Sequence, residues 1–481
     1  MTPAGRSYAS GAAAVAVSTA LSAGGGFISL YLLAQVLTKD ELGGYAFAFN
    51  VLSLLAFVAA WGFERTIMLR VARLPPAPHD LRGRGLALRA TALSGFFASL
   101  LIGLLLLATP RLVDWGALPA AGFWLPALAL ALIPMAISAI LQAWFRANSR
   151  IAVSSLTHGA VNAARAVLLA AVLALGGGPV AVAVAVILST GVPVFILGWL
   201  ARDARTRPPA FIRFRDLRSG ALVVVQKVSN YGLRILDVIL VGLLASGVET
   251  AEYAVAARLA AFCGMGAEAL QPTFAPRARR HFTTGDAPSA GHEYRLARAA
   301  SFLLSLLIAI ALVLFGSRVL NIFGDFSGAY PTMLILLASY MVASGAGMHF
   351  LYLHMQGELI GTAILRLASL GLLVAGAVLL VPVLGALGGA MALCGAVLAL
   401  NAASVAYLHR RTGFAGLTFA SATPTVLAAA LLLIAGLWQV SAGPLALALM
   451  AVGALSLAID GHSRTVLRML FDLLARRDQP R

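Results

Sequence analysis

Apolar stretches of about 20 residues follow one another along the whole chain, parted by short polar gaps. They run approximately over 11–36, 44–69, 86–108, 117–143, 152–175, 179–200, 221–245, 251–276, 297–316, 329–355, 358–381, 384–408, 421–439 and 443–460. A helix of about 20 residues crosses a hydrocarbon core of about 30 Å. In lipid every backbone N–H and C=O must be satisfied within the segment, which favours helices. The pattern therefore predicts an all-α polytopic membrane protein of about 14 transmembrane helices. The longest polar gap, 201–220, is too short to fold alone. Composition agrees: 60% of residues are hydrophobic and 11% charged, against about 25% charged in soluble domains.

The net charge of +17 is carried almost wholly by arginine, with Lys39 and Lys227 the only lysines. In a polytopic protein such charge reads as topology rather than as a nucleic-acid footprint. The termini and the loops after even-numbered spans hold 25 basic residues, the loops after odd-numbered spans 3, and the spans themselves 7. Both termini are expected in the cytoplasm. Cys263 and Cys394 fall in apolar stretches, so no disulfide framework is expected. The first stretch imitates a signal peptide, but an internal repeat requires it as a helix.

In that repeat, "VLTKDELGGYAFA" (36–48) resembles "LLASGVETAEYAVA" (243–256), with Tyr45 matching Tyr253 at an offset of 208. Near the same offset "GGGPVAVA" (176–183) falls against "LGALGGAM" (384–391). Spans one to six then form one lobe and seven to twelve a parallel copy, as in transporters built from repeats. The expected organisation is an N-lobe over 1–200, a basic linker over 201–220, a C-lobe over 221–412, two extra helices over 413–460 and a basic tail over 461–481. "FIRFRDLRSG" in the linker fits either a surface-lying helix or a solvated connection.

Ionisable groups inside the spans carry the candidate chemistry, since each costs about 2.5–3.5 kcal/mol at a helix centre. "QKVSNYGLRILDVILVG" (226–242) places Lys227, Asn230, Arg234 and Asp237 three, four and three apart, one stripe on a continuous helix. Arg234 and Asp237 can pair. Lys227, about 15 Å from Asp237 along the axis, needs another partner. The offset maps this stripe onto Ser18, Ser22, Gly26 and Ser29, where "GGG" at 24–26 allows a bend. Together the two stripes suggest one central cavity. Further stripes are Ser155, His158, Asn162 and Arg165; Thr362, Arg366 and Ser369; Arg258 with Glu268; and His349, Tyr352 and Gln356. Blander readings stand beside them. Arg65 and Arg89 fit snorkelling side chains, Glu64 an interfacial pair with Arg65, His158 and His349 packed histidines, and Arg234 with Asp237 a structural pair.

"AQVLTKDELGGYAFAFNVLSLLAFVAAWGFERTIMLRVAR", "LDVILVGLLASGVETAEYAVAARLAAF" and "LLVPVLGALGGAMA" resemble the bacterial polysaccharide transporter family. Its members are O-antigen and exopolysaccharide repeat-unit flippases of the multidrug/oligosaccharidyl-lipid/polysaccharide exporter superfamily. The resemblance implies two six-helix lobes with alternating access, and an oligosaccharide on polyprenyl diphosphate as cargo. It implies the inner membrane of a bacterial cell as the location, no catalytic signature and no cofactor. The cavity candidates are therefore the striped residues Lys227, Asn230, Arg234, Asp237, Arg165, Arg258, Arg366 and Asn162. Asp237, Glu64 and Glu268 are candidates for coupling to H+ or Na+, with membrane potential an equal alternative. Expected partners are the lipid-linked oligosaccharide, membrane lipids, and a polysaccharide polymerase with its export machinery. A lipid II flippase and a cation-coupled multidrug exporter share the architecture. A membrane glycosyl polymerase or ligase would need large outer loops with catalytic groups, and the outer loops here are short. A non-transporting scaffold would leave the stripes unexplained.

Overall fold

The computed structural model describes residues 3–74, 81, 83–114, 119–202, 212, 214–265, 267–268, 270, 274, 280–281, 286–414, 416–438 and 440–475. Among the described residues the structure is helical, without a β-strand. The chain divides into two compact units, Met1–Ala251 and Glu252–Arg481. Half of the 201–220 linker, 203–211 and 213, lies outside the described residues.

The helices of the first unit are α1 (Pro3–Val36), α2 (Lys39–Ala59), α3 (Phe63–Val71), α4 (Arg84–Asp114), α5 (Pro119–Leu128), α6 (Leu132–Ala147), α7 (Ile151–Ala174), α8 (Pro179–Leu200), α9 (Phe214–Tyr231), α10 (Leu236–Leu244) and the start of α11 (Gly247–Ala260). The second unit adds α12 (Ala287–Ile322), α13 (Tyr330–Ala346), α14 (His349–Met355), α15 (Leu359–Thr412), α16 (Phe419–Trp438), α17 (Ala442–Ile459) and α18 (Gly461–Ala475).

Among the described residues eleven helices are long and apolar enough to cross a membrane, which makes the protein multi-pass. This differs from the expected fourteen for identifiable reasons. α15 is 54 residues long and joins spans eleven and twelve across a kink at Gly385. Spans seven and eight are broken. A 3-10 turn over Gly232–Arg234 and a bent residue at Ile235 divide α9 from α10. Another 3-10 turn, Ala261–Gly264, ends α11. Such interruptions at membrane depth are tolerated only where protein or a polar cavity satisfies the freed backbone groups.

The repeat reappears in hydrogen bonds that the apolar pattern does not show. Thr38 caps α2 and Glu41 reaches back to the Thr38 N–H at 2.9 Å, a reciprocal capping box. At the same offset of 208 Ser246 caps α11, and Glu249 reaches back to the Ser246 N–H at 3.0 Å. Tyr45 and Tyr253, the matched tyrosines, are both buried.

In the first unit α6 packs against α2, α3, α4, α7 and α8. A core of Phe63, Ile67, Val71, Ile140, Trp144, Phe145 and Leu197 forms around it. α1 lies along α7. In the second unit α13 is the buried centre, flanked by α12, α15 and α16. Cys263 and Cys394 are both buried and free.

Candidate functional site

The polar stripe of α1 does not line an open space. Ser18 and Ser29 are buried. Ser18 donates to the Ser155 carbonyl of α7, and Asn162 Nδ2 donates to the Ser22 carbonyl at 3.2 Å. A methyl group on Gly25 would stand 2.8 Å from the Asn162 carbonyl carbon, and one on Gly159 2.9 Å from the Ser18 oxygen. The stripes of α1 and α7 therefore face each other. Small residues let the backbones approach, and hydroxyls and an amide find partners across the contact. α1 runs unbroken through Gly24–Gly26, and of these Gly25 makes the close contact with α7, whereas a side chain at Gly24 would meet open space.

Arg165, three residues beyond Asn162 on α7, turns elsewhere. It is 8% exposed, donates from Nε to Ser189 Oγ of α8 at 3.3 Å, and sets its guanidinium carbon 4.6 Å above the Phe49 ring of α2. No carboxylate among the described residues lies within ion-pairing distance of it. Phe49 is braced by Tyr45, stacked at 5.8 Å, and Tyr45 packs edge-on against Trp124.

Two turns further along α2, the Phe57 ring carries a second cation. Lys227 Nζ lies 5.5 Å from its centroid and forms an ion pair with the buried Glu64 of α3. Tyr231 of α9 closes on Phe57 at 5.4 Å. Arg146, in the last turn of α6, adds a second positive field at Glu64, and His158 of α7 lies within the field of Arg146. Phe49 and Phe57 are eight residues apart, about 12 Å on a helix. The aromatic side of α2 thus holds two cations in succession at positions where lipid would reject them.

Local chain geometry fixes the Lys227 end. The turn between α2 and α3 uses two left-handed residues, Trp61 (φ 44) and Gly62 (φ 68). A side chain at Gly62 would meet Val223 Cβ of α9 at 2.7 Å. Trp61 Nε1 donates to the Leu217 carbonyl at 3.0 Å, and Arg70 pairs with Asp216 at 2.5 Å. These contacts set the register of α9 on α3 so that Lys227 meets Glu64. Sequence adjacency suggested Arg65 as the partner of Glu64; the fold supplies Lys227, 163 positions away.

The expected stripe over 227–237 is split by the break after Tyr231. Lys227 and Asn230 stay on α9, Arg234 sits in the 3-10 turn, and Asp237 opens α10. Asn230 and Arg234 are exposed, whereas Asp237 is buried and accepts from the Val238 N–H at 2.8 Å. In the second unit Arg258 is exposed on α11 and Glu268 is exposed beyond the 3-10 turn that ends it, so they do not share one helix. Arg366 of α15 places its guanidinium carbon 4.2 Å above Phe350, whose ring lies 4.5 Å from the buried His349.

Two features escaped the pattern of polar stripes. One is the aromatic side of α2, visible afterwards in "YAFAFNVLSLLAF" as rings at 45, 49 and 57. The other is a buried ion pair in the second unit, Arg298 of α12 with Asp460 at 2.6 Å. Among the described residues no cluster of three or more His, Cys, Asp or Glu side chains is placed to hold a metal ion.

Comparison with solved structures identifies the architecture. Lipid II flippase MurJ in an inward closed conformation superposes with a TM-score of 0.68 at 14% identity, covering 95% of this chain and 99% of that one. An inward-facing multidrug resistance MATE transporter of the MOP superfamily gives 0.67 at 15% identity over 80% of this chain and 93% of that one. A MOP-superfamily transporter from Pyrococcus furiosus, whose structure is described as having a binding pocket of reversed polarity, gives 0.55 at 16% identity over 86% and 96%. At these identities the likeness is one of fold. No curated protein matches the sequence. Residues 9–268, more than half of the chain, match the family described as polysaccharide biosynthesis protein, and the chain belongs to that family, with a fold similar to that of the structures above.

Proposed function

We propose that the protein is a flippase that carries an oligosaccharide on polyprenyl diphosphate from the cytoplasmic to the outer face of a bacterial inner membrane. It would do so by alternating access, for polysaccharide synthesis. The observation that carries this reading is Arg165 of α7: a buried guanidinium with no carboxylate partner among the described residues, stacked on the same aromatic helix, α2, against which Lys227 of α9 lies. A cation so placed favours an anion, and guanidinium matches phosphate oxygens in a bidentate fork. Lys227 pairs with Glu64 and Arg146 lies within the field of the same carboxylate, two cations to one anion, so net positive charge remains there for a diphosphate to engage.

Arg234 and Asn230, exposed at the break in span seven, are proposed as further cargo contacts, and Arg258 and Arg366 as their counterparts in the second unit. Asn162 supports the α1–α7 contact and acts on the cavity through it. Glu64, Asp237 and Glu268 are proposed as the groups through which H+ or Na+ would couple. An inside-negative potential drives an anion outward by about 2.3 kcal/mol per charge per 100 mV, and returns an empty cationic site inward. The reading needs no catalytic step, in keeping with transporters as structural relatives.

The test is deletion of the gene and complementation. Loss of surface polysaccharide with lipid-linked repeat unit retained on the cytoplasmic face supports the proposal. Normal polysaccharide with altered drug resistance supports the exporter reading, and arrested peptidoglycan synthesis supports lipid II as cargo.

A further inference from the structure

We propose that α18 is an interfacial helix that docks on anionic phospholipid headgroups at the membrane surface where α17 ends. The inference is independent of the cargo.

Three observations place the helix. α17 is a candidate span of 18 residues that stops at Ile459. Asp460 then adopts an extended conformation (φ −103°, ψ 107°), so α18 leaves the α17 axis and does not prolong it. Asp460 is tied to Arg298 of α12 in a pair whose side chains are 6% and 2% exposed, and it also accepts from Ser463 Oγ at 3.0 Å and the His462 N–H at 3.1 Å. At 36 residues α12 is about 54 Å long, well beyond the hydrocarbon thickness of about 30 Å, so part of it stands outside. The ion pair puts the level of Arg298 at the end of α17. α18 packs against α12 and begins at that boundary.

The surface of α18 then names its partner. Ser463 is buried. Leu467 (36%) and Met469 (51%) are exposed on either side of it. Arg464 and Arg468 are exposed, one turn apart, with no ion-pair partner among the described residues. Arg295 of α12 adds a further cation near His462, whose ring lies 5.4 Å from that of His292. The acid at the centre, Asp460, is engaged by Arg298 and lies against His462; Glu293 is half-buried and has a partner of its own. Apolar flanks with basic groups reaching outward are the pattern of a helix lying in the headgroup layer. A soluble acidic protein would satisfy the arginines but would leave Leu467 and Met469 at a boundary where acyl chains already stand.

Each arginine near an anionic surface should contribute about a fivefold preference for anionic over zwitterionic lipid, roughly 25-fold for the pair. The experiment uses the full-length protein with Met469→Cys, labelled with an environment-sensitive fluorophore and reconstituted in vesicles. The native cysteines are buried, and the unsubstituted protein serves as the labelling blank. Quenching by spin-labelled phosphatidylglycerol is compared with quenching by equally labelled phosphatidylcholine at the same mole fraction. The expected result is a strong excess for the anionic lipid, which falls towards parity when Arg464→Gln and Arg468→Gln are combined. Equal quenching by the two lipids overturns the proposal, as does an excess that survives loss of both arginines. Weak quenching at position 469 by both lipids, as for a helix covered by protein or water, also overturns it.

Discussion

Replacing Arg165 with methionine should separate stability from transport. Arg165 is 8% exposed, and its contacts are one hydroxyl at 3.3 Å and one aromatic face at 4.6 Å. The desolvation penalty for a buried ion is several kcal/mol, whereas a desolvated cation–π contact returns about 2 kcal/mol or more and the hydrogen bond rather less. Methionine keeps the length and the contact with Phe49, with a favourable sulfur–aromatic interaction. The folded protein should therefore lose little stability and gain up to a few kcal/mol. If the charge serves an anionic cargo, a charge-assisted hydrogen bond of about 1.5–3 kcal/mol disappears, which weakens cargo engagement about 10- to 150-fold. Arg165→Lys keeps the charge but not the fork and should lie between. Thermal unfolding in detergent reads the first effect, and complementation of a deletion strain at matched membrane levels reads the second. Unfolding at a clearly lower temperature, with activity lost only in proportion to protein level, would make Arg165 a structural residue. An Arg165→Met protein of normal stability and full activity would refute the cargo role outright.

Further predictions follow from the other pairs. Lys227→Met leaves the Glu64 carboxylate with Arg146 and should reduce transport, whereas Glu64→Gln frees both cations and should favour cargo retention over release; single-turnover flipping assays in vesicles distinguish the two steps. Arg298→Met should cost about 3–5 kcal/mol because it strands a buried carboxylate, read as a lowered melting temperature. Burial opposes ionisation of Asp460, but Arg298, Ser463 and the His462 N–H outweigh it and hold the carboxyl below its ordinary value. The unfolded group titrates higher, so this stabilisation is complete above the ordinary aspartate range and is lost as pH falls through the lowered value; Asp460→Asn should flatten that acid limb of the melting curve. Gly62→Val should displace α9 from α3, because a side chain there meets Val223 in a left-handed backbone, and should lower both membrane level and activity. Cysteine labelling from outside the cell should reach Val248→Cys and miss Ala210→Cys; the reverse would overturn the expected orientation.

What the sequence determined by itself was the class of structure and one local repeat. Hydrophobic length dictates membrane helices, because lipid offers the backbone no other partner. A local motif such as the Tyr45/Tyr253 repeat survives in sequence because each copy builds the same helix start, down to the Thr38–Glu41 and Ser246–Glu249 boxes. The sequence also marked Lys227 as a residue in need of a partner, since its insertion penalty depends on depth alone. Which partner it meets was decided by tertiary structure. Glu64 is 163 positions away and reaches Lys227 only because Gly62 allows α9 to lie close on α3. Periodicity assumes a continuous helix, so it could not foresee that Gly232–Arg234 would divide the 227–237 stripe. Nor can a stripe of serines say whether it faces water or another helix. On α1 it faces α7, where carbonyl groups satisfy the hydroxyls and glycines let the backbones touch. Arg298 and Asp460 looked like loop and helix-end charges, 162 positions apart, until packing buried them against each other. Burial and pairing are properties of the folded neighbourhood, and a single chain position carries no record of who its neighbours will be.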